Sequence, residues 1–368
     1  MIVSAMLSYS SSFSFRRTLQ IFLLFAAISL SCVVVLRELD SLRDFPLFSL
    51  TTFSDSSPAS LFLPSLDDDD NEPFADADEF GLDNVLKDAA TEDRTVILTT
   101  LNQAWASPNS VIDLFLESFR IGNRTHQLLN HLVIIALDKK AFVRCLDIHI
   151  HCFALVTEGV DFHSEAHFMT PDYLKMMWRR IDFLRTVLEI GYNFVFTDAD
   201  VMWFRDPFPF FDMNADFQIA CDQYLGIPEY LGNRPNGGFN YVKSNNRSIE
   251  FYKYWYSSRE TYPKYHDQDV LNKIKYEPFI NDIGLKIRFL DTAYFGGFCE
   301  PSKDLNRVLT MHANCCVGLK SKLHDLRIML EDWKRYMSMP SYVKGPSISV
   351  WRVPQHCRIG NISSIRSY

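Results

Sequence analysis

No basic stripe with interleaved aromatics runs through this 368-residue chain, whose 45 Asp and Glu outnumber 37 Lys and Arg for a net charge of −8. That balance argues against polyanion binding, and so against a general nucleic-acid function. No two of the eight cysteines stand as Cys-x-x-Cys, so no zinc pattern is spelled out. The run Asp67 to Asp70 lacks the turn-forming glycine of a calcium loop and reads as a solvated acidic stretch. What the chain does have is 47% hydrophobic and 14% aromatic residues, enough for one large domain or two ordinary ones.

The N-terminus stands apart from that core. Arg16 and Arg17 precede Thr18 to Leu36, a run of 19 residues in which Gln20 is the only strongly polar side chain. At helical rise the run spans roughly 28 Å, close to the hydrocarbon thickness of a bilayer. The flanking charges place residues 1–17 in the cytosol and the bulk of the chain in a lumen, as a single-pass membrane protein. Cleavage as a signal peptide after Ser29-Leu30-Ser31 is the alternative. Residues 37–90, rich in Ser, Pro, Asp and Phe, read as a disordered acidic stem, and residues 91–368 as the luminal domain. Cys32 lies in the apolar run, leaving seven cysteines beyond it. In an oxidising lumen some could pair, and the odd count leaves at least one unpaired or intermolecular; buried free thiols are the other reading. Sequons at Asn123, Asn246 and Asn361 are usable only if that domain is luminal.

From Thr91 onward strands and helices alternate. Strands are expected at 96–101, 132–137, 152–156 and 194–197, with helices at 109–120, 139–148 and 171–190. The last helix carries Leu174, Met177, Ile181, Leu184 and Leu188 at three- and four-residue spacing and stops at Gly191. The alternation predicts an α/β fold with a mixed, mostly parallel sheet flanked by helices. Ligands of such sheets bind at the carboxyl ends of the strands.

The segment NFVFTDADVMWFRDPF, 193–208, drives an apolar strand into Asp198 and Asp200 at such an end. Two carboxylates there suit a hard cation, Mn²⁺ or Mg²⁺, shared with substrate phosphates. Alternatively, Asp198 caps a turn and Asp200 pairs with Arg205. Thr99, Thr100 and Asn102 close the first strand and suit either a ligand or a turn and helix cap. Asp267, Gln268 and Asp269 sit near a helix start, where Asp269 could cap. In NGGFNYVKS the glycines allow close backbone approach to a ligand, with Asn236 as a polar contact, or simply turn the chain into a strand.

The segment around Asp198 resembles the Asp-x-Asp region of plant nucleotide-diphospho-sugar transferases, Golgi enzymes that include arabinosyl- and xylosyltransferases. TVILTTLNQAW, MWRRIDFLRTVLEIGYNFVFTDAD, NGGFNYVKS, HDQDVLN and MHANCC fit the same pattern in order, from about residue 91 to the end. The resemblance implies a GT-A-type fold and a nucleoside diphosphate sugar donor. It implies a metal, usually Mn²⁺, on Asp198, Asp200 and His312, and a glycan or glycoprotein acceptor. It implies nucleotide and diphosphate contacts from Thr99, Thr100, Asn102, Asn236, Arg180 (rather than Arg179) and Lys320. The DQD residues would lie near the anomeric carbon or the acceptor hydroxyl. It also implies retention of configuration. No glutamate identifies itself as a covalent nucleophile, and a front-face substitution in which the departing phosphate takes the acceptor proton needs none. Two other readings compete: a catalytically inactive luminal binding or scaffold protein on the same fold, and a haloacid-dehalogenase-type phosphatase. The phosphatase motif opens its domain, whereas here three strand-helix units precede it.

Overall fold

A computed structural model describes residues 79–155, 157, 169–345 and 350–357. The expected tail, membrane anchor and most of the stem, with Cys32, Asp67 to Asp70 and Asn361, lie outside the described residues. Among the described residues no helix is long and apolar enough to cross a membrane.

The chain begins with α1 (Glu79–Ala89), β1 (Thr95–Leu101), α2 (Gln103–Ala106), α3 (Val111–Ile121), β2 (Leu132–Ala136), α4 (Lys139–Ile148) and β3 (Cys152–Ala154). It continues with α5 (Pro171–Ile190), β4 (Asn193–Thr197), β5 (Val201–Trp203), β6 (Phe217–Gln223), β7 (Arg234–Val242), α6 (Asn246–Ser257), α7 (Asp267–Ile274) and α8 (Pro278–Asp282). It ends with β8 (Ile287–Phe289), β9 (Phe295–Gly297), β10 (Thr310–His312) and α9 (Leu319–Ser338). Seven strands form one sheet in the order β3-β2-β1-β4-β7-β6-β8, and β5, β10 and β9 form a second. In the large sheet β7 alone runs against its neighbours. The expected mixed, mostly parallel α/β sheet is therefore what forms.

Side chains alternate across the strands, so the large sheet divides two cores. Ile97 and Leu101 of β1 join the core with Phe115, Phe119, Trp203 and Trp333, whereas Val96 and Leu98 join the other with Leu184, Tyr252 and Trp255. The parallel strands β1 and β2, covered on both faces, are buried almost throughout, and β2 is apolar along its whole length.

The longest sequence-predicted helix, α5, keeps its expected bounds for identifiable reasons. The Thr170 side chain accepts from the Tyr173 N–H and Pro171 opens the first turn; Gly191 ends the helix at φ 95°, a left-handed conformation suited to glycine.

One expectation is corrected here. The folded region starts before residue 91: α1 lies within the stretch read as stem and buries Leu82, Leu86 and Ala89 against Val96, Leu98, Val133 and Ile135. Acidic composition suggested disorder, but an apolar residue on every turn or so gives the segment a face to bury. Leu86→Ala should lower unfolding free energy by about 2–5 kcal/mol in a denaturant titration. A change below about 0.5 kcal/mol would return residues 79–89 to the stem.

The cysteines also resolve. Cys145 pairs with Cys152, Cys299 with Cys315, and Cys316 with Cys357. Cys221 is a buried free thiol, so the free-thiol reading holds for it and fails for the other six.

Candidate functional site

β4 is buried along its apolar length and lies parallel to β1, with Leu98 opposite Phe196. Asp198 therefore emerges at the carboxyl edge of the sheet. A turn closed by the Val201 N–H donating to the Asp198 carbonyl (3.0 Å) sends the chain into β5. β10 pairs antiparallel with β5, and its register sets His312 opposite Val201, one residue from Asp200. The Ala313 N–H donates to the Asp200 carbonyl and fixes that register (3.0 Å).

The result is a compact trio. His312 Nε2 lies 3.1 Å from Asp200 Oδ1 and 3.8 Å from Asp198 Oδ2. One ligand atom from each of Asp198, Asp200 and His312 falls within 4.8 Å of the others, a set that could hold a metal ion. Glycine is required beside it: a Cβ on Gly238 would stand 2.5 Å from His312 Cε1 and 2.6 Å from Asp198 Oδ2. Close approach explains this half of NGGFNYVKS, which lies within β7.

Asp200 is wholly buried and faces Lys322 Nζ at 2.5 Å and His312 Nε2 at 3.1 Å. Burial alone would raise its pKa, but Lys322 and His312 outweigh it and hold the carboxyl well below its ordinary range. Asp198 moves the other way, pushed up by burial against the pull of Arg180 and by the like charge of Asp200. His312 is raised: burial opposes its charge, and Asp200 and Asp198 prevail.

Arg180, buried on α5, forms the second layer. Its guanidinium donates to Asp198 Oδ1 at 3.0 Å and to Asp267 Oδ2 at 2.5 Å, and stands over the Phe196 ring. Both of its terminal nitrogens are engaged by carboxylates, so it acts on Asp198 and Asp267 instead of offering the free fork expected for diphosphate. Arg179 points to Asp182 at 3.5 Å. Asp267 is buried, and its pKa falls to about 2 because Arg180 and His266 overcome the effect of burial. His266, not Asp269, caps α7, its ring nitrogen accepting from the Gln268 N–H at 3.3 Å. Asp269 is partly exposed, 3.2 Å from His266 Nε2. Of the DQD residues, Gln268 joins the site most directly, its Oε1 accepting from the Gly237 N–H at 3.0 Å. Asn236 Oδ1 accepts from the Gly238 N–H at 2.9 Å.

Of the first strand's candidates, Thr99 fits neither the ligand nor the turn-and-cap reading, and Asn102, just beyond the strand, takes the cap reading. Thr99 is wholly buried, so it offers no surface to a nucleotide; its hydroxyl has no hydrogen-bond partner among the described residues. Asn102 caps α2 by accepting from the Trp105 N–H at 3.3 Å. Thr100 alone of the three is half-buried. Arg205 does not pair with Asp200; it donates to the Val308 carbonyl and stacks on Trp333, while Asp206 Oδ1 accepts from the Phe208 N–H.

Lys320 is exposed at the start of α9, and Lys322, absent from the sequence reading, takes the place expected of it. Residues two apart on a helix point to nearly opposite sides, so both lysines cannot face Asp200. Lys322 also stands over the Trp105 ring at 5.1 Å. In turnover of the nucleoside diphosphate sugar that the resemblance implies, Lys322→Ala should cost about 10- to 100-fold in kcat/KM for the donor, through loss of the charge beside Asp200. Lys320→Ala should stay within about twofold. Equal effects of the two would refute this placement. Asp222 and Asn314 were also missed. Asn314 lies within MHANCC and Asp222 ends an apolar strand, a signal of the kind that exposed Asp198.

A model of the nucleotide-diphospho-sugar transferase family matches residues 127–326. An uncharacterised protein of Arabidopsis thaliana is 54% identical over 277 residues, 75% of this chain and 73% of that one. A beta-arabinofuranosyltransferase of Arabidopsis thaliana is 25% identical over 177 residues, 46% of this chain and 31% of that one. A solved galactosyltransferase, in complex with donor and acceptor sugar analogues, is 12% identical with a TM-score of 0.41, covering 68% of this chain and 99% of that one. The chain belongs to the nucleotide-diphospho-sugar transferase family. It is a glycosyltransferase built on a mixed, mostly parallel α/β sheet.

Proposed function

We propose that this transferase is metal-dependent and moves a pentose or galactose-like sugar, with retention, from a nucleoside diphosphate sugar to a cell-wall glycan or glycoprotein. The observation that carries the reading is the convergence of Asp198, Asp200 and His312 at the carboxyl edge of the sheet, with Lys322 beside them. Two carboxylates and an imidazole suit Mn²⁺, with Mg²⁺ the harder alternative. Bound there, the ion would supply Lewis-acid neutralisation of charge on the leaving diphosphate.

The chain's own residues do the rest. Asp198 is held in place by Arg180, and Lys322 lies where a diphosphate oxygen can take its charge from Asp200. Gln268, next to the Gly237–Gly238 backbone, sits where the donor sugar would lie. In a front-face substitution the bond from the anomeric carbon to phosphate oxygen breaks and the bond to the acceptor oxygen forms on the same face. The acceptor proton passes to the departing phosphate, so no protein nucleophile is needed. Trapping a glycosyl adduct on any Asp or Glu would overturn this step.

The same reading places the protein as a single-pass type II Golgi protein with its catalytic domain in the lumen. Three disulfides among the described residues support an oxidising compartment, and the apolar run Thr18 to Leu36 supports an anchor. The test of function is release of nucleoside diphosphate from a panel of nucleotide sugars by the full chain, with Mn²⁺ and with chelator. Metal-dependent turnover of one donor is expected. Failure with every donor would favour an inactive binding protein on this fold.

A further inference from the structure

One carboxylate outside the metal trio gathers three of the site's segments. Asp222 lies at the end of β6, where the pairing with β7 shifts register, and such irregularities re-aim side chains. Its Oδ1 accepts from Asn236 Nδ2 and from Asn314 Nδ2, each at 2.8 Å, and its Oδ2 accepts from Gln268 Nε2 at 2.9 Å. No ion pair to Asp222 occurs among the described residues.

The three amides cannot turn around. At its other end each accepts a backbone N–H: Gln268 from Gly237 (3.0 Å), Asn236 from Gly238 (2.9 Å) and Asn314 from Cys299 (3.1 Å). A backbone N–H only donates, so each facing atom is the carbonyl oxygen. Each NH₂ must then meet an acceptor, and Asp222 serves all three. Gly238 packs on Asp198 and His312, and Asn314 is two residues from His312, so the carboxylate is joined to the trio through both segments.

We propose that Asp222 is a positioning residue for sugar transfer, setting the orientation in which Gln268 presents its remaining N–H and lone pair to the substrate. The proposal rests on the transferase reading above. Asp222→Asn makes a sharp test because it changes almost no volume. An amide at 222 retains one acceptor oxygen. Keeping that oxygen on Asn236 and Asn314 sets donor against donor at Gln268, whereas the flipped amide loses two bonds. The first arrangement costs less, so the variant should release Gln268 selectively.

In the full chain, Asp222→Asn should lower kcat for metal-dependent donor turnover by about 10- to 100-fold. The donor KM and Mn²⁺ affinity by calorimetry should stay within about threefold. Gln268→Ala should show a loss of the same order, and the double variant should lie within about threefold of Gln268→Ala alone. The exchange Asp222→Asn with Gln268→Glu restores the hydrogen bond with donor and acceptor reversed, and should melt above either single variant. That readout stands even if Asp222→Asn folds poorly. Near-normal kcat in Asp222→Asn, losses that multiply in the double variant, or no recovery of melting temperature in the exchange would each overturn the proposal. No donor turnover by the wild-type chain would overturn it together with the transferase reading. A wild-type enzyme that works beside a fully active Asp222→Asn would overturn it alone.

Discussion

Asp200→Asn should abolish metal-dependent turnover, by on the order of 10³-fold or more, while the chain remains folded. Asp200 is the most buried member of the trio and the one that meets both His312 and Lys322. Removing its charge takes away a metal ligand and leaves the Lys322 ammonium without its carboxylate beside the place a divalent ion would occupy. The several kcal/mol that a bound cation contributes to stabilising a leaving diphosphate correspond to that loss of rate. The fold should tolerate the change because the asparagine keeps the shape and one acceptor oxygen, and because the Lys322 side chain is 18% exposed and can turn to solvent. A cost of about 1–3 kcal/mol is expected. Calorimetric titration with Mn²⁺ should show binding in the wild type and none in the variant, with thermal melting run alongside. Turnover within about tenfold of wild type would remove Asp200 from the metal site and leave it as the counter-charge of Lys322.

How far the sequence reached depends on the physics of each residue. Asp198 and Asp200 were legible because an apolar strand followed by two carboxylates is costly without a ligand, and position along the strand is a one-dimensional property. The same holds for α5, whose cap, stripe and terminating glycine are all local. Lys322 was not legible because choosing between 320 and 322 requires the phase of a helix that begins only after Gly318, at φ 87°. Thr99 was misjudged because a threonine between Leu98 and Thr100 gives no sign of which side of the sheet it faces. Asp222 depended on a register shift in β6, and the disulfides on loop closures over 7, 16 and 41 residues. Local chemistry was readable, whereas contacts set by helix phase, strand register or loop closure were not.

Arg180→Met should be the most destabilising single change in the site. The guanidinium holds Asp198 and Asp267 with separate nitrogens and is itself buried, with a pKa raised by Asp267 and Asp198 against the effect of burial. Removing it leaves Asp267, 1% exposed, without its main counter-charge. Breaking a buried pair from one side costs about 3–5 kcal/mol, because the remaining charge has no solvent to turn to. Lysine would not substitute well, since one ammonium cannot reach two carboxylates in the geometry of a planar fork. The loss also has a pH signature whose sign is fixed. In the wild type the Asp267 pKa is depressed to about 2. Its stabilising contribution is therefore complete above its ordinary range near 4 and is lost only as pH falls toward 2. In the variant, burial without Arg180 lifts the folded-state pKa of Asp267 above the unfolded value and raises that of Asp198, already elevated, further, so the folded form binds protons more readily as pH falls. The stability deficit should therefore be largest near pH 7 and narrow toward pH 5. Denaturant titrations of both proteins at the two pH values measure this difference directly. A deficit below about 1 kcal/mol, or one unchanged between them, would mean that Asp267 finds its counter-charge elsewhere, with the His266 ring, 3.4 Å away, the nearest group that could take a proton for that role.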